Sequence, residues 1–426
     1  MPIKPAKQAR PRIRAERPLY EPTPRPPHLI LDEGVDGVAI DLWQILNDCE
    51  LWRSSNSRGG LFRVGGREWR EELWAPELVE SLSVLRAVSA GTDLARSDDL
   101  AVAAANVWEW AEQNQLVETA LQFSELAARL SPASPERSAT AGRLSRRIGD
   151  VRRATRWFMR AIRLARLADN EVALATAHLG WGMLYFNQGD YLHAEVHFTR
   201  GYRCAMRAGF HGLAGSATHD ILVVSISSGR YDDAMPQATA AAKLYTADHP
   251  RFPLLAHDVA FLLSRLGYYS SALPVLEKCL PFVEGTRERI LVLATLARAA
   301  GAVRDRLRFE RAAAEVVRLA AHSEEMSDMS LYHVAQGARG FEMWERAREL
   351  GGRAAAIATR SGNKYILQAA PALLNSIENR EPGDEDVVPP EGGEIDALVA
   401  KLLKRLQKHT APHDGRAVPV EKFPKY

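Results

Sequence analysis

Three groups of residues in this chain have types and spacings that could do chemistry. The first is a pair of imidazoles. His193-Ala194-Glu195-Val196-His197 sets two histidines four residues apart, hence on one face of a helix, a usable metal spacing. Ala194 stands where a zinc-protease motif needs its glutamate, and no third ligand follows, so no metal site is expected. The second is a run of guanidinium groups. Residues 137–166 hold ten Arg (Arg137, Arg143, Arg146, Arg147, Arg152, Arg153, Arg156, Arg160, Arg163, Arg166) against one acid, Asp150. On helices they make a basic stripe suited to planar, bidentate contact with carboxylates or phosphates. The third is a repeated His-Asp step, His219-Asp220 and His257-Asp258. It can be drawn as an acid/base pair, but repeat geometry is the simpler account.

Catalytic patterns are otherwise missing. The sequence has no GxSxG elbow, no kinase motif set and no dinucleotide fingerprint. SSNSRGGLFRVGG (54–66) is glycine-rich but has no GK[ST] ending, which rules out a P-loop. Cys49, Cys204 and Cys279 are far apart and show no metal-ligand spacing, so they read as small buried apolar residues. The expectation is a protein that is not an enzyme and needs no cofactor.

Composition narrows the partner classes. The formal charge is only +2 over 426 residues, so the whole molecule is not built to bind a polyanion. Arg outnumbers Lys by 45 to 10, so charge acts locally. The longest apolar run, 290–303, is broken by Arg298 and is too short to span a bilayer. No apolar leader segment opens the sequence. These features predict a cytoplasmic protein, bacterial in character, with no membrane partner.

The elements that must carry these residues repeat. GWGMLYFNQGDYLHAEVHFTRG (180–201) has the same skeleton as ISSGRYDDAMPQATAAA (226–242) and SRLGYYSSALPVLEKCL (264–280). Each shows a helix end, a Gly turn, an aromatic, and an Ala three residues later in a second helix. The Ala falls at 120, 154, 194, 234, 272, 312 and 347, in steps of 34, 40, 40, 38, 40 and 35. A near-fixed period of this length means stacked helical hairpins. About seven hairpins are predicted over 99–380. A helical cap precedes them at 31–98, and 1–30 is a basic, Pro-rich tail that cannot bury a core. An acidic linker at 381–393, an amphipathic helix at 394–410 and an unstructured tail at 411–426 complete the chain.

The array resembles the tetratricopeptide repeat (TPR), in a long form of about 40 residues. Gly182, Tyr185, Gly189, Tyr191, Ala194 and Phe198 fall where that family has small, aromatic, Gly, aromatic, small and aromatic residues. The match is strong in the middle and weak over 288–360, where the turn is altered. The resemblance implies an all-α fold, a right-handed superhelix of helix pairs. It also implies a concave groove lined by the first helix of each pair. Carried over residue by residue, that groove includes Arg143, Arg146, Arg147, Phe186, Asn187, His219, His257, Phe261 and Arg265. Arg152, Arg153, Arg156 and Arg160 form a basic flank beside it. The family's Lys/Asn clamp for a terminal carboxylate is not matched, since Leu179 stands at a clamp position.

The function implied is a binding scaffold or adaptor whose partner is a protein or peptide of acidic character. A second copy of the chain stays open as a partner. One alternative is a bacterial regulator whose array senses a peptide or small ligand and controls a transcription partner. The other, and weaker, is nucleic-acid binding through 137–166, disfavoured by the near-zero net charge.

Overall fold

A computed structural model describes residues 39–56, 69–88, 96–283, 285–321 and 326–409. The segment 1–30, most of the Gly-rich stretch 54–66 and the tail 411–426 lie outside the described residues. All regular structure among the described residues is helical, with no strand. The chain divides into two units, 1–184 and 185–426, each taken by itself below.

The first unit opens with α1 (Ala39–Asn56) and α2 (Val79–Arg86). Then come α3 (Ser97–Gln113) and α4 (Val117–Leu130), α5 (Pro135–Arg147) and α6 (Val151–Leu167), and most of α7 (Glu171–Asn187). Helices α1 and α2 act as a cap. Leu42, Ile45, Leu82 and Leu85 are fully buried against Val107, Phe123 and Leu126 of the first hairpin. Asp41 ties the cap together by accepting from the Trp74 indole at 2.7 Å and the Arg70 amide at 3.0 Å. A terminal hairpin needs such a cover, because its outer face has no neighbour to bury it.

The second unit holds α8 (Tyr191–Arg207), α9 (His211–Ser227) and α10 (Tyr231–Leu244), then α11 (Phe252–Arg265) and α12 (Tyr269–Cys279). It continues with α13 (Thr286–Ala302), α14 (Arg306–Ala320), α15 (Ser327–Gly340), α16 (Trp344–Ser361), α17 (Lys364–Glu378) and α18 (Glu394–Leu406). Helix α18 seats Leu398, Leu402 and Leu406 on α10 and α12, and its Arg405 donates to the Tyr245 carbonyl at 2.6 Å.

Why the chain reverses where it does is visible in the backbone. Gly149, Gly189, Gly229 and Gly267 sit two residues before α6, α8, α10 and α12, with φ between 75° and 88°. Glycine occupies this left-handed region without a steric cost. The next amide then bonds back to the last turn of the first helix, as in Asp150 to Ser145 (3.0 Å) and Arg230 to Ser225 (2.8 Å). Before α4, α14 and α16 the same place is held by Gln115, Arg304 and Glu342, at φ 62°, 58° and 58°. The turn expected to be altered in 288–360 is therefore the same turn without its glycine. Side-chain caps at Asp150, Asp190 and Asp305 start the helices that follow.

Packing rests on small residues. Ala120, Ala154, Ala194, Ala234, Ala272 and Ala347 are fully buried, and Ala312 nearly so. In the first unit Phe158 lies over Gly142 and Gly180, where an added Cβ would come within 2.9 and 2.4 Å of its ring. In the second unit α13 and α15 meet backbone to backbone. A Cβ on Gly301 would lie 2.4 Å from Gly337 Cα, and one on Gly340 would lie 2.3 Å from the Gly301 carbonyl oxygen. No side chain can swing away to relieve that contact. Gly301→Ala should therefore lose ~1–3 kcal/mol in urea unfolding. Gly352→Ala, where nothing lies within 4 Å, should gain ~0.5–1 kcal/mol from helix propensity. Equal effects at the two sites would refute the backbone seam.

Candidate functional site

The basic stripe belongs to the first unit, and three of its ten arginines, Arg143, Arg147 and Arg153, are paired with glutamates. Glu112 of α3 accepts from Arg143 at 2.7 Å and from Arg147 at 2.7 Å. Arg143 is 8% exposed and lies over the Trp108 ring. It is a buried hairpin-to-hairpin brace, which corrects its assignment to an open groove. Arg146 is half-buried, and Arg147 is exposed but already paired.

Glu125 of α4 is the second collecting point. It is 1% exposed, and it accepts from Arg129 at 2.7 Å, from Arg153 at 2.5 Å and from the Trp157 indole at 2.8 Å. Burial pushes its carboxyl up, but the Arg153 hydrogen bond and the Arg129 charge outweigh that and hold it below the usual carboxylate range. Arg160 is 5% exposed, stacks on Trp157 and donates to the Pro132 carbonyl. Of the predicted flank, Arg153 and Arg160 are structural. Arg152 and Arg156 remain exposed. The sequence missed these pairings because their carboxylates come from the preceding hairpin, roughly one period upstream.

In the second unit the first helices α9, α11, α13 and α15 share a line of polar side chains. His219 Nε2 lies 2.8 Å from Asp258 Oδ2, and His257 Nδ1 lies 2.9 Å from Asp258 Oδ1. One carboxylate thus bridges two imidazoles from neighbouring hairpins. Burial raises the Asp258 carboxyl, but hydrogen bonds from both histidines overcome this and hold it well below the ordinary range. Asp220 pairs with Arg251 at 2.5 Å instead of with its neighbour His219. His219 also faces Tyr245, whose hydroxyl bonds Ser216 at 3.2 Å. The repeated His-Asp step is therefore a cross-brace between repeats, with His219 and His257 buried.

Two members of this line escaped the sequence reading. Thr295 approaches His257 Nε2 at 3.4 Å, and His333 packs edge-on against Phe261. The signal was available, since 219, 257, 295 and 333 are spaced by 38 residues. His333 is 2% exposed, and burial beside the Arg298 charge lowers its pKa to about 3.

The open part of this face lies at Arg265. Its Nε donates to Tyr231 at 2.9 Å and its Nη1 to Tyr365 at 3.2 Å, and no carboxylate pairs with it among the described residues. Phe261, one helical turn away, is half-buried. Phe186, also half-buried, tilts against Tyr191, while Asn187 is exposed. The His193/His197 pair does not open a shared face. His193 Nδ1 lies 2.7 Å from Asp190, Tyr185 stacks on His193, and His197 is 7% exposed. Among the described residues no group of three or more His, Cys, Asp or Glu is placed to hold a metal, and no helix is long and apolar enough to cross a membrane.

Buried alanine keys, left-handed turns at one fixed position and small residues under aromatic rings decide the fold. It is tetratricopeptide-like. No family model matches the sequence, and no curated protein matches it either. Among solved structures it is similar to the TPR domain of P58(IPK), determined by crystallography at 2.5 Å. The identity is 12%, over 72% of this chain and 98% of that one, with a TM-score of 0.22.

Two outcomes follow from the buried polar groups. Glu125→Ala leaves Arg129 and Arg153 facing an apolar site and should cost ~3–5 kcal/mol; a urea midpoint within error of wild type would contradict the hub. The second concerns pH. His197 and His249 are held near 4 and His333 near 3, each lowered chiefly by burial, against 6.5 for a free imidazole. Between pH 6.5 and 4 the unfolded chain therefore binds more protons than the folded one, and stability falls as pH drops through that window. The urea midpoint should be level above pH 7 and decline towards pH 4.5, less steeply in His333→Asn. A flat profile in wild type would show that these histidines are solvated.

Proposed function

We propose that the chain is a non-catalytic scaffold that holds an acidic protein or peptide segment on the first-helix face of the second unit. Arg265 is the anion anchor, and Tyr231, Phe261 and Tyr365 form the apolar wall beside it. The observation that carries this reading is a partly exposed guanidinium held by two tyrosine hydroxyls and, among the described residues, by no carboxylate. Arg129, Arg143, Arg251 and Arg298, by contrast, are matched with Glu125, Glu112, Asp220 and Asp384. An arginine positioned by neutral acceptors keeps its charge for an incoming oxyanion, and its planar fork favours a carboxylate.

The buried His219–Asp258–His257 brace suits a scaffold role, because it spends its polar groups on fixing one hairpin against the next. The pairing of Arg143, Arg147 and Arg153 with glutamates argues against a nucleic-acid surface at 137–166, which would need those charges free.

A photo-crosslinking residue at position 261 tests the proposal in native cytosol. It should capture a defined acidic partner, and the adduct should be lost in Arg265→Glu but kept in Arg152→Glu. Equal capture by both variants would move the binding surface away from Arg265.

A further inference from the structure

The segment 381–393, an acidic linker by its composition, is fastened across the hairpin tips of the second unit. Asp384 is the main fastening. Its Oδ2 accepts from Tyr269 Oη at 2.8 Å and from Arg298 Nη2 at 3.0 Å, and its Oδ1 accepts from Arg339 Nη2 at 2.8 Å. Two residues on, Asp386 Oδ1 accepts the Ser270 amide at 3.0 Å, in the first turn of α12. The Val387 amide then donates to the Gly267 carbonyl at 2.8 Å. In an extended chain residues two apart share a face, so both carboxylates are presented together.

The fit is incomplete, and in a definite way. Arg298 is 7% exposed, yet its Nη1 has no hydrogen-bond partner among the described residues, and neither does Arg339 Nε. Two guanidiniums are matched by the one carboxylate of Asp384. The apolar part fits loosely too. Val387 and Val388 are 48% and 77% exposed. Beside them are two open depressions. One of about 310 Å³ is lined by Leu273, Pro274 and Val303 on one side and by Ser270, Asp386 and the Glu277–Arg308 ion pair on the other. The other, of about 400 Å³, is lined by Tyr231, Met235, Leu266 and Tyr268 with Pro389 and Ile395. Buried donors without acceptors are uncommon, and the depressions leave room for side chains larger than valine.

We propose that the surface made by Tyr269, Ser270, Arg298 and Arg339 is a docking site for an extended acidic segment of a partner protein, and that residues 381–393 occupy it here as a weak internal ligand. Charge complementarity selects the occupant: two carboxylates two residues apart, the first on the arginine pair and the second on the α12 amide. The flanking depressions add bulky apolar residues directly after the second acid. The second depression shares Tyr231 with the Arg265 site, but the contacts of Asp384 and Asp386 do not involve Arg265, so the docking reading stands on Arg298 and Arg339 without the one given for it.

The probe is a labelled peptide of residues 381–393 carrying Val387→Leu and Val388→Phe. Fluorescence anisotropy should show binding to full-length Asp384→Asn protein at least tenfold tighter than to wild type, and none to Asp384→Asn/Arg339→Gln. In wild type, excess peptide should speed hydrogen exchange of the amides at 385–388, among them the Val387 amide bonded to Gly267. A strap that is only a brace gives a lower melting temperature in Asp384→Asn, no peptide binding and no change in exchange; that result overturns the proposal. So does release of the segment into a dimer, with the free peptide still unbound, because the occupant would then be a second copy of this chain.

Discussion

The structure depends on how closely two helix backbones can approach. At Gly301, Gly337 and Gly340 the α13 and α15 main chains touch with no side chain between them, and the spare Cβ positions lie 2.3–2.5 Å from backbone atoms. At Gly142 and Gly180 the same closeness is achieved against the ring of Phe158. Dispersion is weak per atom pair and falls steeply with separation, so a seam at this distance gathers many contacts in little area. It also admits little adjustment. A hairpin seated on such a seam has one register, and every polar residue on its surface inherits a fixed position. The buried line of His219, His257, Thr295 and His333 exists because four first helices are held in the same register.

Arginine has two uses in this chain, and the difference is set by what lies one repeat away. Where the neighbouring hairpin offers Glu112 or Glu125, arginine becomes a brace, and its charge is spent internally. Such pairs add little net stability over an apolar core, because desolvating both charges offsets most of the attraction. Their larger effect is to penalise any register in which one partner is missing. Where the neighbour offers tyrosine hydroxyls, as at Arg265, no acid among the described residues pairs with the charge. A high Arg count in a sequence therefore says little about polyanion binding until the acids one period away have been located.

Much of the fold was legible in the sequence because repetition amplifies weak signals. A single Gly-aromatic-Ala pattern is ambiguous; seven in near register are not, and all seven alanines are buried. The turns before α14 and α16 were harder, because Arg304 and Glu342 give no hint of a left-handed backbone that glycine announces elsewhere. The glycine seam was illegible, since which helix backbones touch depends on crossing geometry that no local pattern encodes. At the level of single residues the sequence did less well. Arg143 and Arg160 were read from helix faces as open, and the acids and carbonyls that bury them come from another hairpin. His333 was overlooked although the 38-residue spacing pointed to it, because the reading followed His-Asp steps and not the register itself.

That lesson extends to the C-terminal part of the chain. Composition made 381–393 a linker: acidic, rich in Pro and Gly, with little to bury. Composition reports what a segment can bury by itself and is silent on what a prepared surface offers it. Arg298 and Arg339 lie 41 residues apart, near the ends of α13 and α15, so two successive hairpins set their guanidiniums side by side. Asp384 settles there because a buried and a half-buried guanidinium are more stable with a carboxylate between them than without one. The repeat that stacks the hairpins thus also makes an anion site at their tips. It is a site of position, produced by periodicity, and the strap supplies the carboxylate that occupies it.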